Sequence, residues 1–177
     1  MGSRIERGSG LKSVLLDTSF LITLSNPARA NHATAKRYYQ EFIERSVTMY
    51  LSTIVISEFE IKQQIIDLGV HNFLILPFNV DDAKVAAQIH VKIMRLRSAD
   101  QSRDAVKDDV KLYAQAIVAG VSHFATDDQK SVAQLNRVTS LARIVNLPTP
   151  VDISEPYTDS FFNSGQNGLF VSDQEID

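Results

Sequence analysis

The chain of 177 residues contains no cysteine and no tryptophan. Without cysteine there is no disulfide framework, thiolate zinc site, iron–sulfur cluster or cysteine nucleophile. Glycine is sparse, at 7 residues, and no glycine-rich loop is present to cradle a nucleoside triphosphate. Long apolar runs are missing too: stretches such as 73–78 fall far short of the roughly 20 residues that cross a bilayer. The opening MGSRIERGSG lacks the apolar centre of a secretory signal. These absences point to a soluble protein with no membrane association, expected in the cytoplasm. No internal repeat or low-complexity block interrupts residues 11–147.

The composition is 44% hydrophobic, and the length is ample for one domain with a sizeable core. With 18 Lys and Arg against 21 Asp and Glu, the formal charge is −3, which at first argues weakly against a nucleic-acid binder. The distribution changes that inference. Residues 146–177 hold Asp152, Glu155, Asp159, Asp173, Glu175 and Asp177 and no Lys or Arg, a local charge of −6. The remainder, with 18 basic and 15 acidic residues, is at +3. An acidic tail shielding a basic body is the expectation, and RNA is not excluded.

Hydrophobic patterning alternates strands with helices. A short apolar strand, 13–16, runs into Asp17-Thr18-Ser19 and a helix carrying Phe20, Leu21 and Leu24. An amphipathic helix over 31–45 follows, then a strand at 49–51. Ser52-Thr53 can cap a helix with Ile54, Ile61 and Ile65 on one stripe, closed by Gly69. Residues 73–78 read as an extended connection broken by Pro77. A helix from Asp81-Asp82 to about Arg97, an exposed loop over 98–107 and a helix over 108–119 stopping at Gly120 come next. A strand at 121–125, a short helix with Val132 and Leu135, and a last strand at 143–145 complete the pattern. The expected class is α/β: a three-layer α/β/α sandwich with a mostly parallel central sheet, plus an extended C-terminal tail. The expected divisions are a flexible leader or expression remnant at 1–10, the domain at 11–148 and an acidic, turn-rich tail at 149–177. Phe161, Phe162, Leu169 and Phe170 are candidate anchors for the tail.

Four acids carry the chemical signal. Asp17 ends the first strand, Glu58 lies on the helix after the second, Asp109 opens a later helix, and Asp128 follows the 121–125 strand. Ligands of an open parallel sheet bind beyond the carboxyl ends of its strands, so these acids can share one edge. Clustered carboxylates repel unless a cation neutralises them. An oxygen-only set without Cys or grouped His suits Mg²⁺ or Mn²⁺, and such an ion supports phosphodiester hydrolysis. Each acid alone has an ordinary explanation. Asp17 serves as a helix cap, Asp108 and Asp109 as first-turn acids, Asp127-Asp128 as a turn, and only their joint placement favours a metal site. Glu58 falls between Ile54 and Ile61 on the apolar stripe and needs a partner there. His123 reads as a packed or hydrogen-bonded strand residue.

The segments Val14-Leu15-Leu16-Asp17-Thr18-Ser19-Phe20-Leu21-Ile22, Leu51-Ser52-Thr53-Ile54-Val55-Ile56-Ser57-Glu58-Phe59, Lys107-Asp108-Asp109-Val110-Lys111-Leu112-Tyr113-Ala114-Gln115-Ala116 and Phe124-Ala125-Thr126-Asp127-Asp128 together resemble the PIN-domain ribonucleases, in the order and spacing of the small VapC-type toxins. The resemblance spans about residues 13–147. It implies a divalent-metal-dependent endoribonuclease whose metal is held by Asp17, Asp109 and Asp128, with Glu58 completing the catalytic acids. Asp108 and Asp127 are the rivals of Asp109 and Asp128, since the family commonly has a basic or neutral residue where Asp127 stands. Thr126 and Ser19 are candidate supporting hydroxyls. An antitoxin partner and a homodimer follow from the resemblance alone. A PIN-domain nuclease of RNA maturation, or an inactive PIN-like scaffold, is the alternative. Lys92, Arg95, Arg97, Arg103, Lys107 and Lys111, gathered before and within one helix, are candidate RNA contacts.

Overall fold

Ser13–Leu16, the first apolar run, is buried at every position, which only a central strand covered on both faces allows. In the computed structural model, which describes residues 12–95, 107–142 and 144–163, this strand (β1) is flanked on both sides by parallel partners. The elements in order are β1 (Ser13–Leu16), α1 (Thr18–Ser25), α2 (His32–Glu44), β2 (Thr48–Ser52), α3 (Thr53–Phe59), β3 (Leu74–Leu76), α4 (Val80–Arg95), α5 (Lys107–Ala119), β4 (His123–Thr126), α6 (Gln129–Ala142), β5 (Thr149–Asp152) and α7 (Ser160–Asn163). The sheet order is β3-β2-β1-β4-β5, and every described pairing is parallel.

That order dictates the layers. The chain steps from β1 to β2 to β3 in one direction, then returns across β1 to β4 and β5. Right-handed crossovers therefore place α1, α2 and α3 on one face and α4, α5 and α6 on the other. The packing follows: α1 rests on α2 and α3, and α4 on α5 and α6. The expected α/β/α sandwich is what forms, with its direction reversing between β1 and β4.

The core fills both interfaces. Phe20 and Phe42 lie stacked on the α1–α2 face, their ring centroids 6.4 Å apart, and both are fully buried. On the other face Tyr113 of α5 meets Phe124 of β4 edge-on at 5.5 Å. Truncating any of these rings to Ala costs about 3–5 kcal/mol. Gly120 ends α5 as expected: its φ of +65° is left-handed, a conformation costly for other residues. No described helix is long and apolar enough to cross a membrane.

Four details differ from the sequence reading. Residues Leu74–Leu76 form a true edge strand on β2; three residues before Pro77 are too few to show a period. Helix α3 stops at Phe59 rather than reaching Gly69, because the Glu60 carboxylate takes the Ile65 N–H at 2.8 Å and redirects the chain into short 3₁₀ turns. Ile61 is consequently 81% exposed and belongs to no buried stripe. Finally, the last strand is not 143–145: Val145 is exposed, Asn146 turns with a φ of +63°, and Thr149–Asp152 pairs with β4 instead. Pro150 fits there because β5 is an edge, where a missing N–H leaves no gap in the ladder. The sheet thus extends into the segment whose composition suggested a tail. The expected anchors Phe161 and Phe162 pack on Phe42, at 5.1 and 6.1 Å between centroids, while Leu169 and Phe170 lie outside the described residues.

Candidate metal centre

Strand direction sets the site. With all strands parallel, the residues following β1 and β4 emerge at one edge, at the point where the sheet order reverses; that is where a crevice opens in this class of fold. Asp17 follows β1 there. It occupies the N-cap position of α1, yet its side chain makes no capping bond. Its Oδ2 instead accepts hydrogen bonds from Ser19 Oγ (2.6 Å) and Thr126 Oγ1 (2.8 Å), with the residue only 7% exposed. The two hydroxyls lie 2.9 Å from each other, so Ser19 and Thr126 form a clamp across the β1–β4 seam.

The other acids arrive from three helices. Glu58 on α3 accepts a short hydrogen bond from Thr18, the residue next to Asp17. Its expected partner therefore exists, although the apolar stripe invoked for it does not: the buried face of α3 is Val55 and Phe59. Asp109 in the first turn of α5 accepts from Ser131 Oγ at 2.9 Å. Asp128 caps α6 by accepting from the Lys130 N–H at 2.8 Å, and its other oxygen lies 3.4 Å from the same Ser131 hydroxyl. Ser131 is in turn fixed by Tyr113, whose buried hydroxyl donates to the Ser131 carbonyl at 3.0 Å.

Electrostatics tie the four together. The Asp109 carboxyl is pushed up to about 6, first by burial and then by the charges of Asp17, Asp128 and Glu58, against a lowering effect of the Ser131 hydrogen bond. Tyr113 is shifted upward as well, by burial and then by the charges of Asp109, Asp17 and Asp128.

The donor set suits a hard divalent ion. Asp17, Glu58 and Asp109 each commit one oxygen to a hydroxyl donor; the second oxygen of each receives no hydrogen bond among the described residues. Hydroxyl-oriented, oxygen-only, mutually repelling carboxylates are what Mg²⁺ or Mn²⁺ compensates. As the side chains stand, no three Asp, Glu or His residues among those described converge closely enough to grip one ion.

Asp127 plays a different part from Asp128. Its Oδ2 accepts from Thr23 at 2.6 Å and lies 3.5 Å from Arg29 Nη2, and its Oδ1 accepts from Asn31 Nδ2 at 2.7 Å. Both oxygens are engaged, so Asp127 is a strut pinning the α1–α2 connection to the end of β4. This accounts for an acid where the resembled family commonly has none. The Asp108 side chain lies outside the described residues.

Of the expected basic candidates, only Lys92 and Lys111 have described side chains. Lys92 lines a pocket of about 210 Å³ with Ile117, Ile144 and Val145, toward the far end of α5 from Asp109. Lys111 is half-buried on α5. Arg97 and Arg103, and the side chains of Arg95 and Lys107, lie outside the described residues. The cations flanking Asp128 are instead Arg29 and Lys130, which sequence reasoning missed, as it missed Thr18, Asn31 and Ser131. Only Ser131 left a trace: it stands three residues after the capping Asp128, the spacing of one helical turn.

No protein-family model and no curated protein matches the sequence. Solved structures do match the fold. FitAcB from Neisseria gonorrhoeae superposes with a TM-score of 0.56 at 18% identity, over 80% of this chain and 99% of that one. DNA-bound VapBC from Salmonella typhimurium gives 0.53 at 12% identity, over 80% and 98%. VapC20 of Mycobacterium tuberculosis, a toxin that cleaves the sarcin–ricin loop, gives 0.50 at 18% identity, over 68% and 94%. With its parallel sheet reversing at β1 and β4 and its acids at that reversal, the chain has a VapC-like PIN-domain fold.

Proposed function

We propose that the chain is a divalent-metal-dependent endoribonuclease and the toxin component of a toxin–antitoxin pair. The observation carrying this reading is the gathering of Asp17, Glu58, Asp109 and Asp128 at the sheet's reversal point, where burial first and then the charges of the other three acids raise the Asp109 pKa to about 6. Asp17, Asp109 and Asp128 would hold Mg²⁺ or Mn²⁺. Bound there, the ion lowers the pKa of a water and stabilises charge on the phosphoryl oxygens.

The chain's own residues do the rest. Ser19 and Thr126 fix Asp17, Ser131 fixes Asp109 beside Asp128, and Thr18 aims Glu58 at the same edge. Glu58 Oε1, without a hydrogen-bond donor among the described residues, is placed to receive the proton of an attacking water. The matched assemblies VapBC and FitAcB support an antitoxin partner, and a homodimer in the cytoplasm accompanies this reading.

The test is cleavage of labelled RNA by the purified chain, free of any partner. Mg²⁺ or Mn²⁺ should support cleavage and chelation should stop it. Asp17→Asn or Asp109→Asn should slow it by on the order of 10²-fold or more, the usual scale for losing a group that stabilises the transition state. RNA left intact by the parent in both metals overturns the proposal.

A further inference from the structure

A cavity of about 570 Å³ opens beside the acids, sharing Asp128 with them as a wall. Arg29, Asn31, Gln129, Lys130 and Ser154 supply its polar lining. Its size is that of a small-ligand pocket, but its walls hold no aromatic ring, and Ala28 and Ala30 are its only apolar residues. Recognition there must come from charge and hydrogen bonds.

Two cations, Arg29 and Lys130, share the lining with two carboxylates, of which Asp128 belongs to the acid cluster. Asp127 also borders the cavity, but Thr23, Asn31 and Arg29 already engage its carboxylate. Arg29 is held along one edge, with Nε 3.4 Å from Thr23 Oγ1 and Nη2 3.5 Å from Asp127. Its Nη1 makes no hydrogen bond among the described residues, and neither does Lys130 Nζ. A guanidinium fixed on one side with donors free on the other is preorganised for a phosphate, and a nearby ammonium strengthens it.

From this geometry we infer that the Arg29–Lys130 cavity seats a backbone phosphate of single-stranded RNA adjacent to the one cleaved, with Asp127 as the strut that positions Arg29. The inference rests on the nuclease reading of the acids and names where the substrate strand runs from them. The amide of Gln129 and the hydroxyl of Ser154, 3.2 Å apart, offer donors and acceptors to the sugar and base of the same nucleotide.

The experiment measures binding of a short fluorescein-labelled single-stranded RNA to the full chain carrying Asp17→Asn, so that no cleavage intervenes. Lys130→Gln and the pair Arg29→Gln with Lys130→Gln are compared with that background across a salt series. Each lost phosphate contact should weaken binding roughly tenfold and flatten the slope of log affinity against log salt by about 0.7. Because Lys130 is exposed and its side chain makes no described hydrogen bond, its variant separates binding from folding. Unchanged affinity and slope in both variants overturns the inference, as does a loss confined to duplex DNA. Cleavage by the otherwise unaltered chain is read independently. If that chain cleaves RNA while the variants bind normally, the cavity assignment alone fails. If it never cleaves but the variants lose RNA, the cavity stands and the nuclease reading fails.

Discussion

At the amino ends of β1 and β4, Ser13 and Ser122 exchange hydrogen bonds of 2.8 to 3.1 Å, and His123 joins them at 2.9 Å. Phe161 closes over His123 with ring centroids 4.3 Å apart, and Lys12 donates to the Phe161 carbonyl. Four residues along the same strands, at the carboxyl ends, Ser19 and Thr126 hold Asp17, and its charge and those of Asp128 and Glu58 act on Asp109. One end satisfies its polar groups and covers them with an aromatic ring. The other keeps carboxylates under mutual repulsion. The amino end is built for stability, and the carboxyl end gives up stability to keep its carboxylates together.

The largest effect should come from stripping the amino end. Phe161→Ala removes a ring that is 4% exposed and packs on Phe42, His123 and Phe162, so unfolding in urea should show a loss of about 3–5 kcal/mol. A loss below 1 kcal/mol would mean that α7 is not part of the fold's core.

The carboxyl end should respond in the opposite direction. Asp109 has its folded-state pKa raised from 3.8 to about 6, so its charged form is destabilising above that range and the penalty disappears as pH falls through it. In chelator, Asp109→Asn should therefore be more stable than the parent by up to about 3 kcal/mol at pH 8, with the difference closing near pH 3.5. Mg²⁺ or Mn²⁺ should raise the parent's melting temperature and leave the variant nearly unmoved. A destabilised variant at pH 8 would break the contrast between the two ends.

The smallest of these effects concerns His123. Burial first, then the charge of Lys12, lowers its pKa from 6.5 to about 4. The neutral ring is the folded form, so its contribution is complete above pH 6.5 and is lost as pH falls toward 4. Relative to His123→Asn, the parent should lose about 2 kcal/mol across that window in urea titrations, the full shift being reduced by solvent screening of the partly accessible ring. Parallel stability curves would show that His123 is not a titrating element of the fold. Because Asp109 and His123 shift in opposite senses over nearly the same range, the acid limb of the parent should be shallower than that of Asp109→Asn.

Much of this was legible in the residues. The run Val14-Leu15-Leu16 ending in Asp17-Thr18-Ser19 announces a buried strand feeding a helix, and Phe124-Ala125-Thr126 repeats the pattern for β4. Gly120 announced the end of α5. Where the reading failed, short range was the cause. Leu74–Leu76 is too brief to show alternation. Ile61 keeps helical spacing with Ile54, but the Glu60 carboxylate diverts the backbone between them. Pro150 argues against a strand everywhere except at an edge. Part of the acidic segment is tied to the body: Asp152 takes the Ser154 N–H at the end of β5, and Asp159 pairs with Arg45 and accepts from Tyr157.

The sequence alone determined the order of strands and helices and the chemical kind of the residues at each strand's end. Chain polarity then ensures that, in a parallel sheet, those ends share one edge. Only the tertiary structure decided which of the neighbours Asp127 and Asp128 faces that edge. Asp127 and Asp128 are adjacent and chemically identical, yet Asp127 turns to Thr23 and Asn31, 104 and 96 positions away, while Asp128 turns to Ser131 beside Asp109. Hydrogen bonds across such separations follow no sequence period; they are set by packing, which brings α1, β4, α5 and α6 to a single corner of the sheet.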